Sequence, residues 1–356
     1  MFKIDFVKNM CKVCVVCIET MAARQTILNI QNLVNPSLLT VKRNYKRWLA
    51  PTLKELKRRK MKMGPEPPTR RSAFLEWNYH AELFAFGKRL GEEFRKDLLQ
   101  RAFTHRSYIV QEEMRQKEVG IEDPKLSLED NQEFIRRGET LMSEYLKCHL
   151  RVALPRFPEE GICAVHGYLM TDKTLAHVSR HLGTKDIILS SDFPVEEVTL
   201  ATTLKALVGA LAESSGAVRA REFVRDFILT QLAGRDINEF WEIKDPMRTL
   251  ADILKRDGRG EPEPRLINES GRNTILATYQ VAVYSDKQFI GLGYGESISI
   301  AVEMAAHDAL KRLFHTTENM KPIPFTVDVR SMSYDESKWN TSVNDWSSAK
   351  VENVDC

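Results

Sequence analysis

The chain has 356 residues, 43% of them hydrophobic, which is room for two modest domains plus extensions and an ordinary composition for a folded globular protein. No apolar run approaches the roughly 18 to 20 residues that a bilayer-spanning helix needs, so a membrane span is not expected. The formal charge of +3 conceals an asymmetry: residues 1–71 hold 16 Lys and Arg against 4 Asp and Glu, whereas the remainder holds 36 against 45.

From Thr20 to Lys54 there is no acidic residue, and from Met21 onward Arg24, Lys42, Arg43, Lys46 and Arg47 are interspersed with Ile27, Leu28, Ile30, Leu33, Leu38 and Leu39. A basic, amphipathic, acid-free segment has the composition of a mitochondrial transit peptide, and residues 1–41 are read as that presequence. Met21 is a second candidate start codon. Cys11, Cys14 and Cys17 have a spacing that suggests metal ligands, but no fourth ligand is near, and Cys148, Cys163 and Cys356 are scattered. No disulfide framework is implied, which suits a reducing interior compartment. Residues 42–71 form a basic arm that includes Lys57, Arg58, Arg59 and Lys60 and ends in Gly64-Pro65-Glu66-Pro67-Pro68. Such a segment buries no core and suits contact with phosphates, where each neutralised charge releases counterions.

Residues 74 to about 235 read as helical. Tyr79, Leu83, Phe86, Leu90 and Phe94 form one apolar stripe, and Asp97 is placed to cap the next helix, with Leu98, Ala102 and Phe103. Leu175, Val178 and Leu182 form another stripe, and Leu200, Leu204, Leu207 and Leu211 a third, with Gly209 and Ala210 allowing close approach of a neighbour. Val224, Phe227, Ile228 and Leu232 complete the pattern, with Gly234 as the stop.

Within that block the run Leu98 to Tyr108, the stretch Asn131 to Leu141 and the stretch Leu200 to Ala210 together resemble the ribonuclease III family. Its members carry Leu-Leu-x-x-Ala-Leu-Thr-His-x-Ser-Tyr, then Asn-Glu-x-x-Glu-Phe-Leu-Gly-Asp, then Asp-x-x-Glu-Ala-Leu-Ile-Gly-Ala. The family hydrolyses double-stranded RNA with paired divalent ions held by four carboxylates. Carried over by position, those ligands fall on Ile135, Glu139, Thr202 and Lys205. Ile135 ligates nothing, Thr202 offers a weak neutral oxygen, and Lys205 places an ammonium where a cation should sit. The resemblance therefore implies a kept scaffold, lost chemistry, and no metal or other cofactor. Thr104, His105, Ser107 and Tyr108 are read as buried polar residues satisfied within the helical core.

At Asp245 the pattern changes. Asp245 followed by Pro246 starts a helix that runs to about Arg256 and breaks at Gly258. Short extended segments follow Pro262 and Pro264, Thr278 to Tyr284 alternates as a strand, a turn falls around Ser285-Asp286-Lys287, and a further strand covers Gln288 to Leu292. Ser297 then opens a helix with Val302, Ala305, Ala309 and Leu313 on one side. Helix, three strands and helix resemble a double-stranded-RNA-binding domain, and Gly293 to Ser297 matches that family's final helix entry. The family's Lys-Lys pair falls on Ile298 and Ser299, and its Gly-Pro-x-His loop on Gly271 to Thr274. Residues 245–314 hold nine basic and ten acidic side chains, a poor balance for RNA binding by shape. Lys255, Arg272 and the backbone amides at Ser297 remain candidate RNA contacts. The Gly-rich stretch from Gly291 follows a hairpin rather than a βαβ unit, which argues against a nucleotide-binding loop. The tail, rich in Ser, Asp, Asn and Lys with isolated Trp339 and Trp346, reads as an extension, disordered alone or laid over a partner.

The expected fold is mainly α with an α+β module. A helical RNase III-like domain (72–240) precedes an α-β-β-β-α double-stranded-RNA-binding domain (245–316) and a C-terminal extension (317–356). Taken with the basic arm and presequence, the combination resembles the RNase III-like proteins of the mitochondrial large ribosomal subunit. That resemblance implies a structural role in the matrix, binding large-subunit rRNA and neighbouring mitochondrial ribosomal proteins without cleaving RNA. Two alternatives stand beside it: an active mitochondrial RNA endonuclease, and a processing or RNA-binding factor outside the ribosome. Dimerisation, general among ribonuclease III enzymes, is left open.

Overall fold

The computed structural model describes residues 51–64, 69–121, 126, 128–272, 274–317, 323–325, 329 and 339–352. Residues 1–41, expected to be a presequence, with the Cys11–Cys17 cluster, and Lys42, Arg43, Lys46 and Arg47 lie outside the described residues. The chain divides into two compact units, Met1–Pro68 and Thr69–Cys356. In the first, part of the basic arm is a helix, α1 (Pro51–Met63), with proline in its first turn and every residue exposed. Lys, Arg, Leu and Met favour helix, so the segment folds locally while burying nothing.

The second unit begins with α2 (Tyr79–Leu90). The Asn78 side chain accepts a hydrogen bond from the Ala81 amide at its start, and Gly91, at φ 70°, ends it. The left-handed conformation at Gly91 is cheap only for glycine, which is why the expected stripe stops one turn short of Phe94. Asp97 does not cap α3 (Lys96–Phe103): the cap position is Arg95, without a side-chain bond, and Asp97 lies in the first turn, where its charge opposes the helix dipole favourably. There follow α4 (Arg106–Glu118), α5 (Gln132–Ala153), α6 (Glu159–Leu169), α7 (Asp172–Leu182), α8 (Glu197–Ser215) and α9 (Ala217–Phe227). α8 is the central helix, buried along Leu200, Leu204, Leu207 and Leu211 and packed against α3, α5, α7 and α9.

The Asp245-Pro246 start opens α10 (Pro246–Arg256), although the Asp245 side chain makes no capping bond. Strands β1 (Glu263–Ser270), β2 (Thr278–Ser285) and β3 (Gln288–Gly295) form an antiparallel sheet in the order β1-β2-β3. The tight β2–β3 turn places Asp286 and Lys287 at positive φ, and the Asp286 carboxylate accepts from the Gly260 amide at 2.9 Å. α11 (Ile298–Leu313) lies on the sheet through Ala301, Ala305 and Ala309. A Cβ at Gly293 would sit 2.2 Å from the Ala305 amide nitrogen, so the Gly-rich strand serves to let α11 lie against the sheet backbone. The fold class is as expected: mostly helical, with a small three-stranded sheet near the C-terminus.

The tail departs from expectation. Residues 339–348 dock on the chain's own body. Asn340 donates to the Leu154 and Phe157 carbonyls, each at 2.8 Å, and Ser342 donates to Glu160. Trp346, 2% exposed, donates from Nε1 to the Arg156 carbonyl and meets Phe314 edge-on with ring centroids 5.2 Å apart. Arg256 of α10 donates to the Val343 and Trp346 carbonyls. With Phe157 and Trp241 these rings make an aromatic joint between the helical bundle and the sheet module. The nearby Arg151–Glu159 pair is two-pronged (2.6 and 3.2 Å) and largely shielded from water, a geometry that fixes the two side chains relative to one another.

Two imidazoles make the bundle acid-sensitive. Burial pushes His149 down to about 4 from the ordinary 6.5, with a main-chain interaction at Pro324 opposing the shift and the Arg225 charge adding to it. His166 is likewise pushed down to about 4, by burial and then by Lys147. Between those values the unfolded chain binds the protons and the folded chain does not, so stability is full above pH 6.5 and falls as pH drops toward 4. His149 alone is expected to cost about 2 kcal/mol between pH 6.5 and pH 5, with a smaller, solvent-screened addition from His166. Urea midpoints across this range measure it, and His149→Gln should flatten the slope. A flat wild-type profile contradicts the assignment.

Candidate functional site

The positions that correspond to the four ribonuclease III ligands lie on two helices that cross at their backbones. Gly138 on α5 faces the Lys205 carbonyl of α8, where a Cβ would stand 1.9 Å from the oxygen. Gly209 on α8 faces the Phe134 carbonyl of α5, at 2.3 Å by the same measure. Two glycines therefore bring the helices together, and Ile135 and Glu139 come from one helix, Thr202 and Lys205 from the other.

The chemistry at the crossing is an ion pair. Lys205 Nζ donates to Glu139 Oε1 at 2.8 Å, the lysine side chain 12% and the glutamate 50% exposed. Ile135 packs against the small apolar cluster of Ala102, Phe134, Ala206 and Ala210. The Thr202 hydroxyl donates back to the Val198 and Thr199 carbonyls of its own helix, at 2.9 and 3.1 Å. The surrounding carboxylates are also engaged. Arg101 bonds Glu129 and Glu133, and Arg137 bonds Glu133 at 2.5 Å and Glu213 at 2.8 Å. The Arg101 guanidinium also lies over the Phe134 ring, 4.7 Å from its centre. This lattice escaped sequence reading, although the i,i+4 spacing of Glu133 and Arg137 was a visible signal for part of it.

The Thr-His-x-Ser run serves the backbone. Thr104, 1% exposed, donates to the Gln100 carbonyl, and its strand-like segment bridges to Leu189. His105 caps α4, its Nδ1 accepting from the Ser107 amide and meeting the Ser107 hydroxyl at 2.8 Å. Burial holds His105 below the ordinary imidazole range, against the pull of Asp192 and Asp130.

The candidate RNA contacts among the described residues fall on separate elements. Lys57, Arg58, Arg59 and Lys60 line the exposed α1, with Arg59 3.5 Å from Glu55. Lys255 lies exposed in the last turn of α10. Arg272 lies in the β1–β2 loop, 3.4 Å from Glu269. Ser297 caps α11, its hydroxyl accepting from the Ile300 amide. Beside it, the end of the sheet module is apolar rather than basic: Ile275, Leu276, Ile298, Ile300 and Met304 are all exposed, Ile275 completely.

A glycine-tight helix crossing in an all-helical bundle, followed by an α-β-β-β-α module, defines a ribonuclease III-type domain joined to a double-stranded-RNA-binding-type domain. Family models agree: one described as the large ribosomal subunit protein mL44 endonuclease domain matches residues 78–211, and one described as the MRPL44 dsRNA-binding domain matches residues 241–347. The second match runs through the docked tail as far as Trp346 and Ser347. The large ribosomal subunit protein mL44 of Caenorhabditis elegans is 35% identical over 277 residues, covering 76% of this chain and 68% of that protein. Ribonuclease 3 of Enterococcus faecalis is 27% identical over 223 residues, covering 61% of this chain and 90% of the enzyme. The solved nuclease domain of ribonuclease III from Campylobacter jejuni matches 41% of this chain and 94% of its own length at 20% identity, with a TM-score of 0.34. The chain belongs to the mL44 family of large ribosomal subunit proteins.

Proposed function

We propose that the chain is a structural component of the mitochondrial large ribosomal subunit, binding rRNA and neighbouring ribosomal proteins, and that its ribonuclease III-type domain does not cleave RNA. The Lys205–Glu139 pair carries the second half of this reading. A divalent pair requires several bare carboxylate oxygens converging on it. The residues here do not fit one: a single carboxylate is neutralised by an ammonium, and isoleucine and a self-bonded threonine fill the other positions. Membership of a family named for a large-subunit protein supports the first half. The basic arm, including Lys42, Arg43, Lys46, Arg47 and Lys57 to Lys60, contacts rRNA phosphates, with Lys255, Arg272 and the Ser297 amide as weaker contacts. The exposed apolar end of the sheet module meets a neighbouring protein. Residues 1–41 direct the chain to the mitochondrial matrix.

Sedimentation of a mitochondrial lysate tests the assembly. The chain should migrate with the large subunit, and with the full ribosome when magnesium is kept. A peak only near the top of the gradient would sink the proposal in favour of a free RNA-binding or processing factor.

A further inference from the structure

We infer that the helical unit holds one unpaired nucleotide of an RNA strand in a basic, aromatic-walled cavity whose lining includes none of the four ligand positions at the α5–α8 crossing. This deepens the rRNA-binding reading and rests on it. The cavity, of about 320 Å³, is formed by the segment before α2, the start of α2, the body of α4 and the loop between α7 and α8. A volume near 300 Å³ is at the lower end for small-ligand pockets and matches a single base with its sugar and phosphate rather than a larger ligand.

Its framework is fixed. Arg70 donates to the Ser191 carbonyl and lies over the Phe193 ring, and Arg71 bonds Glu82 and lies over Trp77. The Ser191 amide donates to the Ser107 hydroxyl, and the His105 and Leu189 amides donate to the Leu189 and Phe103 carbonyls respectively. Other polar groups of the lining are left for a ligand. Lys185 has no partner among the described residues, and Arg115 reaches Glu112 only at 3.5 Å across an exposed i,i+3 pair. The Tyr79 hydroxyl is buried without a hydrogen-bond partner among the described residues. Tyr108 supplies aromatic surface, beside the arginine-covered rings of Trp77 and Phe193.

Four cations line the cavity against Asp186 and Asp192, on a body whose charge beyond residue 71 is otherwise acidic. Asp186 lies 3.9 Å from Arg71 and Asp192 accepts from the Ser191 hydroxyl, so neither carboxylate is bonded to Lys185 or Arg115. Unstacked bases are recognised by aromatic faces and by donors to their edges, with the flanking phosphate held by Lys or Arg. A fully paired helix cannot present a base to a recess of this size without unstacking it.

The test uses the full chain and labelled RNA hairpins, four carrying a single unpaired A, C, G or U and one fully paired, with free AMP, GMP, CMP and UMP as a separate arm. At least one bulged hairpin should bind tenfold or more tightly than the paired one. The variant K185A/R115A changes two exposed side chains. It should abolish that preference while leaving paired-hairpin binding within about twofold. Equal affinity for all hairpins, or a preference that survives K185A/R115A, overturns the assignment. So does tight binding of a mononucleotide without any bulge preference, which would give the cavity to a free nucleotide. A chain that sediments with the large subunit but shows no bulge preference refutes the cavity alone. A chain that shows the preference but stays at the top of the gradient refutes the ribosomal reading alone.

Discussion

Gly138→Ala is expected to unfold the helical unit or force α5 and α8 apart. The added methyl would stand 1.9 Å from the Lys205 carbonyl oxygen and 3.0 Å from the Gly209 nitrogen, and both obstacles are helical backbone. No rotamer change relieves such a clash. Overpacking a dense core ordinarily costs about 1–3 kcal/mol, and a backbone collision at the centre of the bundle belongs at or above the top of that range. That is a large share of the roughly 5–15 kcal/mol that stabilises a domain. Gly167→Ala is the control, because nothing lies within 4 Å of a Cβ there and alanine favours helix by up to about 1 kcal/mol. Denaturation midpoints that fall steeply for Gly138→Ala and hold or rise for Gly167→Ala support the crossing. Equal midpoints contradict it.

Trp346→Ala is expected to cost about 3–5 kcal/mol, the range for deleting a buried aromatic side chain. The substitution empties the space against Phe314, removes the donor to the Arg156 carbonyl and loosens the segment to which Arg256 is bonded. Because the indole seals the joint between bundle and sheet module, limited proteolysis should accelerate on both sides of it. Thermal unfolding and proteolysis rates unchanged from wild type would show that the tail is not fastened there.

What the sequence made legible follows the range of the forces involved. The stripe at Leu200, Leu204, Leu207 and Leu211 is a local periodicity and packs as expected, and Val281 and Val283 are buried as expected, although Ala282 between them is buried too. The turn at Asp286-Lys287 is a short-range steric preference and falls where expected. The cap on α3 was misplaced because an acidic residue suits a first turn as well as a cap, and local pattern separates the two poorly. The docking of Asn340 and Trp346 joins residues more than 180 positions apart within a polar segment, and no local pattern encodes it. At the crossing, the identities of Ile135, Glu139, Thr202 and Lys205 were readable by position. The closing of Lys205 onto Glu139, and the capture of the neighbouring carboxylates by Arg101 and Arg137, required the fold.

The most direct measurement is a cleavage assay with the purified chain on long double-stranded RNA, in magnesium and in manganese, beside an active bacterial ribonuclease III. The ion pair at the helix crossing predicts intact substrate at enzyme-to-RNA ratios where the control digests it completely. Metal-dependent cleavage that disappears in Glu139→Gln would contradict the account.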